Sequence, residues 1–253
     1  MYSREKFLEV NDLSVILDEN LILDNLNFKV KRGEIHAIMG PNGSGKSTFS
    51  KVLAGHPECT TIKGDITYKG KSIMFKEPEE RSNDGIFLAF QYPVEVSGVS
   101  NQDFLRYAYN SKQLYHGKSI ASPLEFLKIL EEKMVLINMS PLFLERNLNQ
   151  GFSGGEKKRN EILQMLLLDP ELTVLDETDS GLDIDSLKTI AIGINNHMSK
   201  DKAIIIITHY QRLLNYIKPT YVHIMGKSGS IVLSGPSKLA KVLEEKGYAW
   251  ITS

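Results

Sequence analysis

Cysteine is almost missing from this chain of 253 residues: there is one, Cys59, and one tryptophan. A lone cysteine excludes an intramolecular disulfide framework and fits a reducing compartment. Beside a loop it reads as a small tolerated residue, with a reactive thiol as the weaker alternative. Long apolar runs are missing too. The longest, Ile86–Phe90 and Ala203–Ile207, stop at five residues, so no segment is expected to span a membrane. The opening MYSREKFLEV has no apolar signal-peptide core and no transit-peptide composition, so the protein is expected to work where it is made. Excess charge of one sign is also absent. Lys+Arg number 30 against Asp+Glu 31, net −1, which gives no reason to expect a bulk polyanion as partner and leaves room only for a local basic patch. There are no low-complexity tracts and no internal repeats.

What is present is ordinary for a globular chain with a buried core: 42% hydrophobic and 24% charged residues. Residues 7–39 read as a strand meander in which Leu26, Phe28 and Val30 point inward, with a turn at Arg32-Gly33. A helix follows from Lys46 to about Ala54. GDITYKGKSI reads as a strand pair turning near Lys69-Gly70, and GIFLAFQ (Gly85–Gln91) as a buried strand. Between Tyr92 and Gln150 apolar residues recur at helical spacing, bounded by Pro93, Pro123 and Pro141, which marks a helical insert. LTVLDE and AIIIITH then return to continuous apolar runs, the pattern of strands buried on both faces of a parallel sheet. The expected fold is α/β, with a catalytic core over 1–91 and 151–253 and a helical subdomain over 92–150.

GPNGSGKS fits the phosphate-loop pattern completely, with a strand before it and a helix after. Gly40, Gly43 and Gly45 let consecutive backbone N–H groups converge on phosphates without Cβ interference, in a nucleotide-binding loop completed by Pro41, Asn42 and Ser44, and Thr48 follows in the helix start. Lys46 supplies a charge toward the β- and γ-phosphates, and the Ser47 hydroxyl suits Mg²⁺. At the end of LTVLDE, Asp176 is placed to hold the metal and Glu177 to orient water or accept its proton. Taken alone, that carboxylate pair reads equally well as a helix cap; the phosphate loop tips it toward catalysis. His209 closes another core strand and could face the γ-phosphate, whereas His36, His56, His116, His197 and His223 read as structural. Gln91 ends its strand with a neutral side chain able to touch both metal and water. A second glycine pair, in GFSGGEKKRNEILQ, opens a helix and exposes further N–H groups.

In this order the motifs closely resemble the ABC ATPase family, over almost the whole chain. The resemblance implies an ABC ATPase domain: a P-loop NTPase parallel sheet core with an N-terminal antiparallel β subdomain and an inserted helical subdomain. It makes Gly40–Ser47 the phosphate loop, Gln91 the Q-loop glutamine, Phe152–Glu156 the signature, Asp176 and Glu177 the Walker B pair, Ser180–Asp183 the D-loop and His209 the switch histidine. It implies a Mg²⁺-dependent ATPase whose catalytic residues are Glu177, His209, Gln91 and Lys46. Ser47, Gln91 and Asp176 then serve the metal. It further implies a transient head-to-tail homodimer, in which Ser153, Gly154 and Gly155 of one copy cap the nucleotide on the other, with Asp183 nearby.

Departures narrow the resemblance. EKKRNEILQ replaces the usual glutamine-rich continuation of the signature, and Thr178 in DETDSGLD stands where a proline is usual. With GPNGSGKST, AFQYPVEVSGVS and THYQRLL, these strings are similar to the ATPases of the SUF iron–sulfur cluster assembly system. That implies a soluble protein with SufB- and SufD-like scaffold partners, no nucleic acid and no membrane insertion. It implies a bacterial cytoplasm or, for a plastid-encoded chain, the stroma. The nucleotide-binding subunit of an ABC membrane transporter would carry the same core motifs and is the alternative. No Cys or His constellation exists here to hold a cluster. Leu17 falls where the family usually stacks an aromatic ring on adenine, so nucleotide selectivity is expected to be loose. Lys158 could pair with Glu177 as a resting-state brake, or Lys157 and Lys158 could simply be solvated. Tyr92, Pro93, Val94 and Val96 could dock a partner or pack internally.

Overall fold

The computed structural model describes residues 6–248, 250 and 251. Along the chain run β1 (Leu8–Leu17), β2 (Asn20–Val30), β3 (Ile35–Met39), α1 (Lys46–Ala54), β4 (Thr60–Tyr68), β5 (Lys71–Ser72), α2 (Pro78–Asn83) and β6 (Ile86–Ala89). Next come β7 (Val96–Ser100), α3 (Asn101–Tyr115), α4 (Pro123–Leu136), β8 (Asn147–Leu148) and α5 (Gly154–Leu168). The chain ends with β9 (Leu172–Asp176), α6 (Ile184–His197), β10 (Ala203–Ile207), β11 (Tyr221–Met225), β12 (Ile231–Pro236) and α7 (Lys238–Lys246). None of these helices is long and apolar enough to cross a membrane, among the described residues. The elements gather into two compact units: the chain up to Leu88 with Glu171–Thr178 and Met198 onward, and Ala89–Pro170 with Asp179–His197.

The first unit is built on two sheets. One has the order β2-β1-β4-β5; β1 pairs antiparallel with β2 and with β4. Its hairpins are short because Asp18 and Glu19, and then Lys69 and Gly70, take the left-handed conformation that a two-residue turn between twisted strands requires. The other sheet runs β12-β11-β3-β10-β9-β6, with β9, β10, β3 and β11 parallel and β12 antiparallel at the edge. Every residue of β9 and β10 is buried, as continuous apolar runs demand when both faces of a sheet are covered. Leu26, Phe28 and Val30 of β2 do point inward. Phe28 meets the Phe49 ring edge-on at 5.6 Å, which ties α1 to the antiparallel sheet. Beside Phe28 two buried histidines, His36 on β3 and His223 on β11, form a chain from Glu34 to Ser234.

The second unit carries β7, α3, α4, β8, α5 and α6. Helix α5 packs on α6, α3 and α4, so the signature helix and the helix after the D-loop share this unit with them. Burial decides this: α5 buries residues on several faces, from Lys158 and Asn160 to Leu167, and needs neighbours all round. Ser122 and Glu125 close a reciprocal cap at the start of α4, with proline at the first turn. Gly193 of α6 lies where a Cβ would meet Ile162 of α5 at 2.6 Å, so the small residue lets the two helices approach closely.

Candidate active site

Strand β3 delivers the chain to Gly40, where a Cβ would fall 2.5 Å from the Met225 carbonyl. Gly43 and Gly45 are left-handed at φ 78° and 91°. Gly45 is also the N-cap of α1, and it supplies no side-chain cap. No acidic residue stands in the first turn of that helix either. The leading N–H groups of α1, at the positive end of its dipole, are thus kept for an external anion. The Ser44 hydroxyl, buried inside the loop, has no hydrogen-bond partner among the described residues. A polar atom orphaned in a cradle of glycines is what a phosphate site looks like when protein groups alone do not complete it.

Lys46 folds back over the loop, its Nζ donating to the carbonyls of Gly40 and Pro41, each at 2.9 Å. Burial pulls its pKa down, and the attraction of Glu177 and Asp176 works against that shift. Asp176, at the C-terminal end of β9, accepts from Ser47 Oγ at 3.2 Å and from Ser50 Oγ at 2.7 Å. A hydroxyl and a carboxylate so close form a hard-oxygen set that suits Mg²⁺. Glu177 follows in the left-handed region at φ 46°, costly for a residue with a Cβ, and its N–H is fastened to the Ile207 carbonyl at 2.9 Å. One Glu177 carboxylate oxygen approaches Nδ1 of His209 to 3.3 Å. The angle is not that of a hydrogen bond, and Nδ1 has no such partner among the described residues. The first unit therefore brings together the phosphate loop, Asp176, Glu177 and His209. Leu17 lies at the end of β1, half-buried.

The second unit carries the other motif residues. Ser153 is the N-cap of α5. Its hydroxyl accepts from the Glu156 N–H at 3.3 Å, while the Glu156 carboxylate accepts from the Ser153 N–H at 2.7 Å. That backbone bond lowers the Glu156 pKa. Gly154 has open space around it, and a Cβ on Gly155 would come 3.1 Å from Ser186 Oγ. Asp183 accepts from the Ser186 N–H at 2.7 Å and so caps the start of α6. Gln91 is half-buried in the bend after β6. Tyr92 and Val94 do not pack internally; they are 81% and 65% exposed.

Within its own unit Lys158 has a carboxylate partner. Lys158 is buried and joins Glu161 on its own helix at 3.0 Å, because that carboxylate lies one turn away on the same face. Lys157 pairs with Glu95 and is not simply solvated. Three residues had escaped notice in the sequence: Ser50, Asn160 and Glu161. Ser50 could have been found from its position one turn after Ser47; the other two carry no motif.

A glycine cradle between a parallel strand and an uncapped helix, with a Walker B carboxylate pair at a neighbouring strand end, defines a P-loop nucleoside triphosphatase. The chain belongs to the ABC transporter family, whose profile matches residues 23–180. A probable ATP-dependent transporter ycf16 of Trieres chinensis is 62% identical, covering 99% of this chain and all of that protein. The probable ATP-dependent transporter SufC of Escherichia coli is 51% identical over 97% of this chain and 98% of its own length. With these relatives the chain is an ABC ATPase of the SufC/ycf16 type, binding and hydrolysing ATP. A nucleotide-free ATP-binding cassette from an ABC transporter shares the fold with TM-score 0.76 at 24% identity, over 95% of this chain and 96% of that one. A bacterial ABC transporter cassette solved as a dimer shares it with TM-score 0.78 at 20% identity, over 91% and 99%.

Proposed function

We propose that this ATPase drives an iron–sulfur cluster assembly complex, in company with SufB- and SufD-like scaffold proteins, through ATP-dependent closure of two copies head to tail. The observation that carries the reading is the 51% identity to the SufC relative, which extends over nearly the whole of both chains. Each copy contributes half a site. Its phosphate loop and Lys46 would hold the β- and γ-phosphates, while Ser47, Asp176 and Gln91 would offer oxygen ligands to Mg²⁺. The metal, when bound, offsets phosphate charge. Glu177 orients water and takes its proton, and His209 steadies the γ-phosphate. The other copy lays Ser153, Gly154 and Gly155 on the same phosphate, with Asp183 beside it. A nucleotide held by both copies favours the closed pair, and loss of phosphate removes the bridge.

Scaffold partners would dock on the second unit, where Tyr92, Val94 and Val135 present exposed apolar surface. The compartment is a bacterial cytoplasm or a plastid stroma; a relative in Arabidopsis thaliana is named as chloroplastic. The word transporter in the relatives' names favours a second reading, the nucleotide-binding subunit of a membrane transporter. Affinity purification of the Glu177→Gln variant, with and without ATP, separates the two. Scaffold proteins without membrane spans should co-purify. Recovery of a polytopic membrane protein in their place would overturn the assembly reading.

A further inference from the structure

The run Lys157–Glu161, which departs from the family pattern, lies on the second turn of α5 and faces the chain leaving β6. Glu161 Oε1 accepts the Phe90 N–H at 2.8 Å. Lys158 Nζ donates to the Phe90 carbonyl and holds the other Glu161 oxygen at 3.0 Å. Both side chains are 5% exposed. One buried ion pair thus grips both backbone groups of a single residue, the one before Gln91. Phe90 has left the strand and the residue is 42% exposed, so burial of its side chain is not what holds it.

The same helix fastens the segment again further on. Asn149 donates to the Val94 carbonyl at 2.8 Å, and Asn160 donates to Asn149 at 2.9 Å. Asn160 and Asn101 bond each other reciprocally, and all three asparagines are buried. Lys157 reaches Glu95. Residues 90–95 are therefore pinned at three places to the helix whose first turn is the signature.

A buried Lys–Glu pair is a poor device for stability alone, since apolar side chains of equal volume usually serve as well. What apolar side chains cannot do is supply an acceptor and a donor to the N–H and C=O of one residue. We propose that Lys158 and Glu161 are positioning residues for the Q-loop: they fix Phe90, set the direction in which Gln91 leaves the strand, and make Gln91 and the signature helix one rigid piece. The inference rests on the role given to Gln91 above.

The exchanged pair Lys158→Glu with Glu161→Lys provides the test. It keeps two opposite charges in the same place but turns a carboxylate toward the Phe90 carbonyl and an ammonium toward its N–H. In the full chain with Mg-ATP, kcat should fall on the order of tenfold with KM changed less than about twofold, because phosphate binding belongs to the first unit. Amide exchange in a peptide spanning 86–95 should quicken. In a Gln91→Ala background the exchange of charges should cost less than about twofold more, because both changes strike one function. If the exchanged pair does not fold, Lys158→Met with Glu161→Met takes its place in the same cycle with the same expected results. Unaltered protection over 86–95, or an equal loss of kcat with and without Gln91, would make the pair merely structural. Normal turnover by Gln91→Ala alone would overturn the proposal at the glutamine rather than at the pair.

Discussion

Ser50 and Ser47 touch the same carboxylate, yet they do different work. Ser50 is buried, donates to Asp176 Oδ2 at 2.7 Å, and has no place in the phosphate loop. Ser47, more open, donates to Oδ1 at 3.2 Å and stands at the loop's end. Ser50→Ala removes a bond to a charged acceptor, worth about 1.5–3 kcal/mol. The melting temperature should fall by about 3–12 °C, at about 2–4 °C per kcal/mol for a chain of this size. ATPase activity should fall only a few-fold, on the order of one hydrogen bond, since Asp176 keeps its place at the strand end. Ser47→Ala should show the reverse, a small thermal shift and a much larger loss of turnover. Calorimetry and a steady-state ATPase assay on the two variants check the contrast. Equal thermal shifts would show that Ser50 does not brace Asp176.

Among the elements, strands β3, β11 and β12 are laced by a directed proton chain. Glu34 accepts from His36 Nε2 at 2.9 Å, which leaves His36 Nδ1 to accept from His223 Nε2 at 2.9 Å. His223 Nδ1 then accepts from the Ser234 hydroxyl at 2.8 Å. The two rings lie 6° from coplanar, with Phe28 edge-on to both and Tyr221 beside them. An added proton would set two N–H groups against each other. Burial lowers both pKa values, that of His223 to about 4 with help from His36, while Glu34 pulls the other way. In the unfolded chain these rings titrate near 6.5, so below that pH the unfolded state binds more protons and folding weakens. Urea-unfolding free energy should be level above about pH 7 and fall toward pH 4, by up to about 1.4 kcal/mol per pH unit for each histidine. His223→Gln should flatten that slope; an unchanged slope would place the acid sensitivity elsewhere. This chain was not legible in the sequence, because its members are 187 residues apart and only the strand order makes them neighbours. The phosphate loop and the all-apolar strands were legible, since local spacing fixes them. The partner of Lys158 was not. A lysine on a helix offers carboxylates in several directions, and burial chose the one a turn away.

At the scale of the whole molecule, the phosphate loop and the signature stand on separate units, and the helix starts that follow them are finished differently. Helix α1 starts without any cap, whereas α5 starts with a closed reciprocal cap between Ser153 and Glu156. The first is therefore built to need phosphate for completion, while the second is stable without it. That asymmetry fits a signature helix that must stay folded in a single copy and meet nucleotide only when a second copy supplies it. Ser153→Asp separates the two duties. Aspartate caps a helix about as well as serine and favours the positive helix end, so melting should shift by no more than about 2 °C. Facing a γ-phosphate, it would set charge against charge. In the Glu177→Gln background with ATP, light scattering after size exclusion should give a dimer when Ser153 is present and a monomer when aspartate replaces it. ATP affinity of the single copy should stay within about threefold, and turnover without the Glu177 change should drop by more than about thirtyfold, in line with losing one site built for transition-state charge. A dimer that persists with aspartate would place Ser153 outside the nucleotide interface and reduce its part to the cap alone.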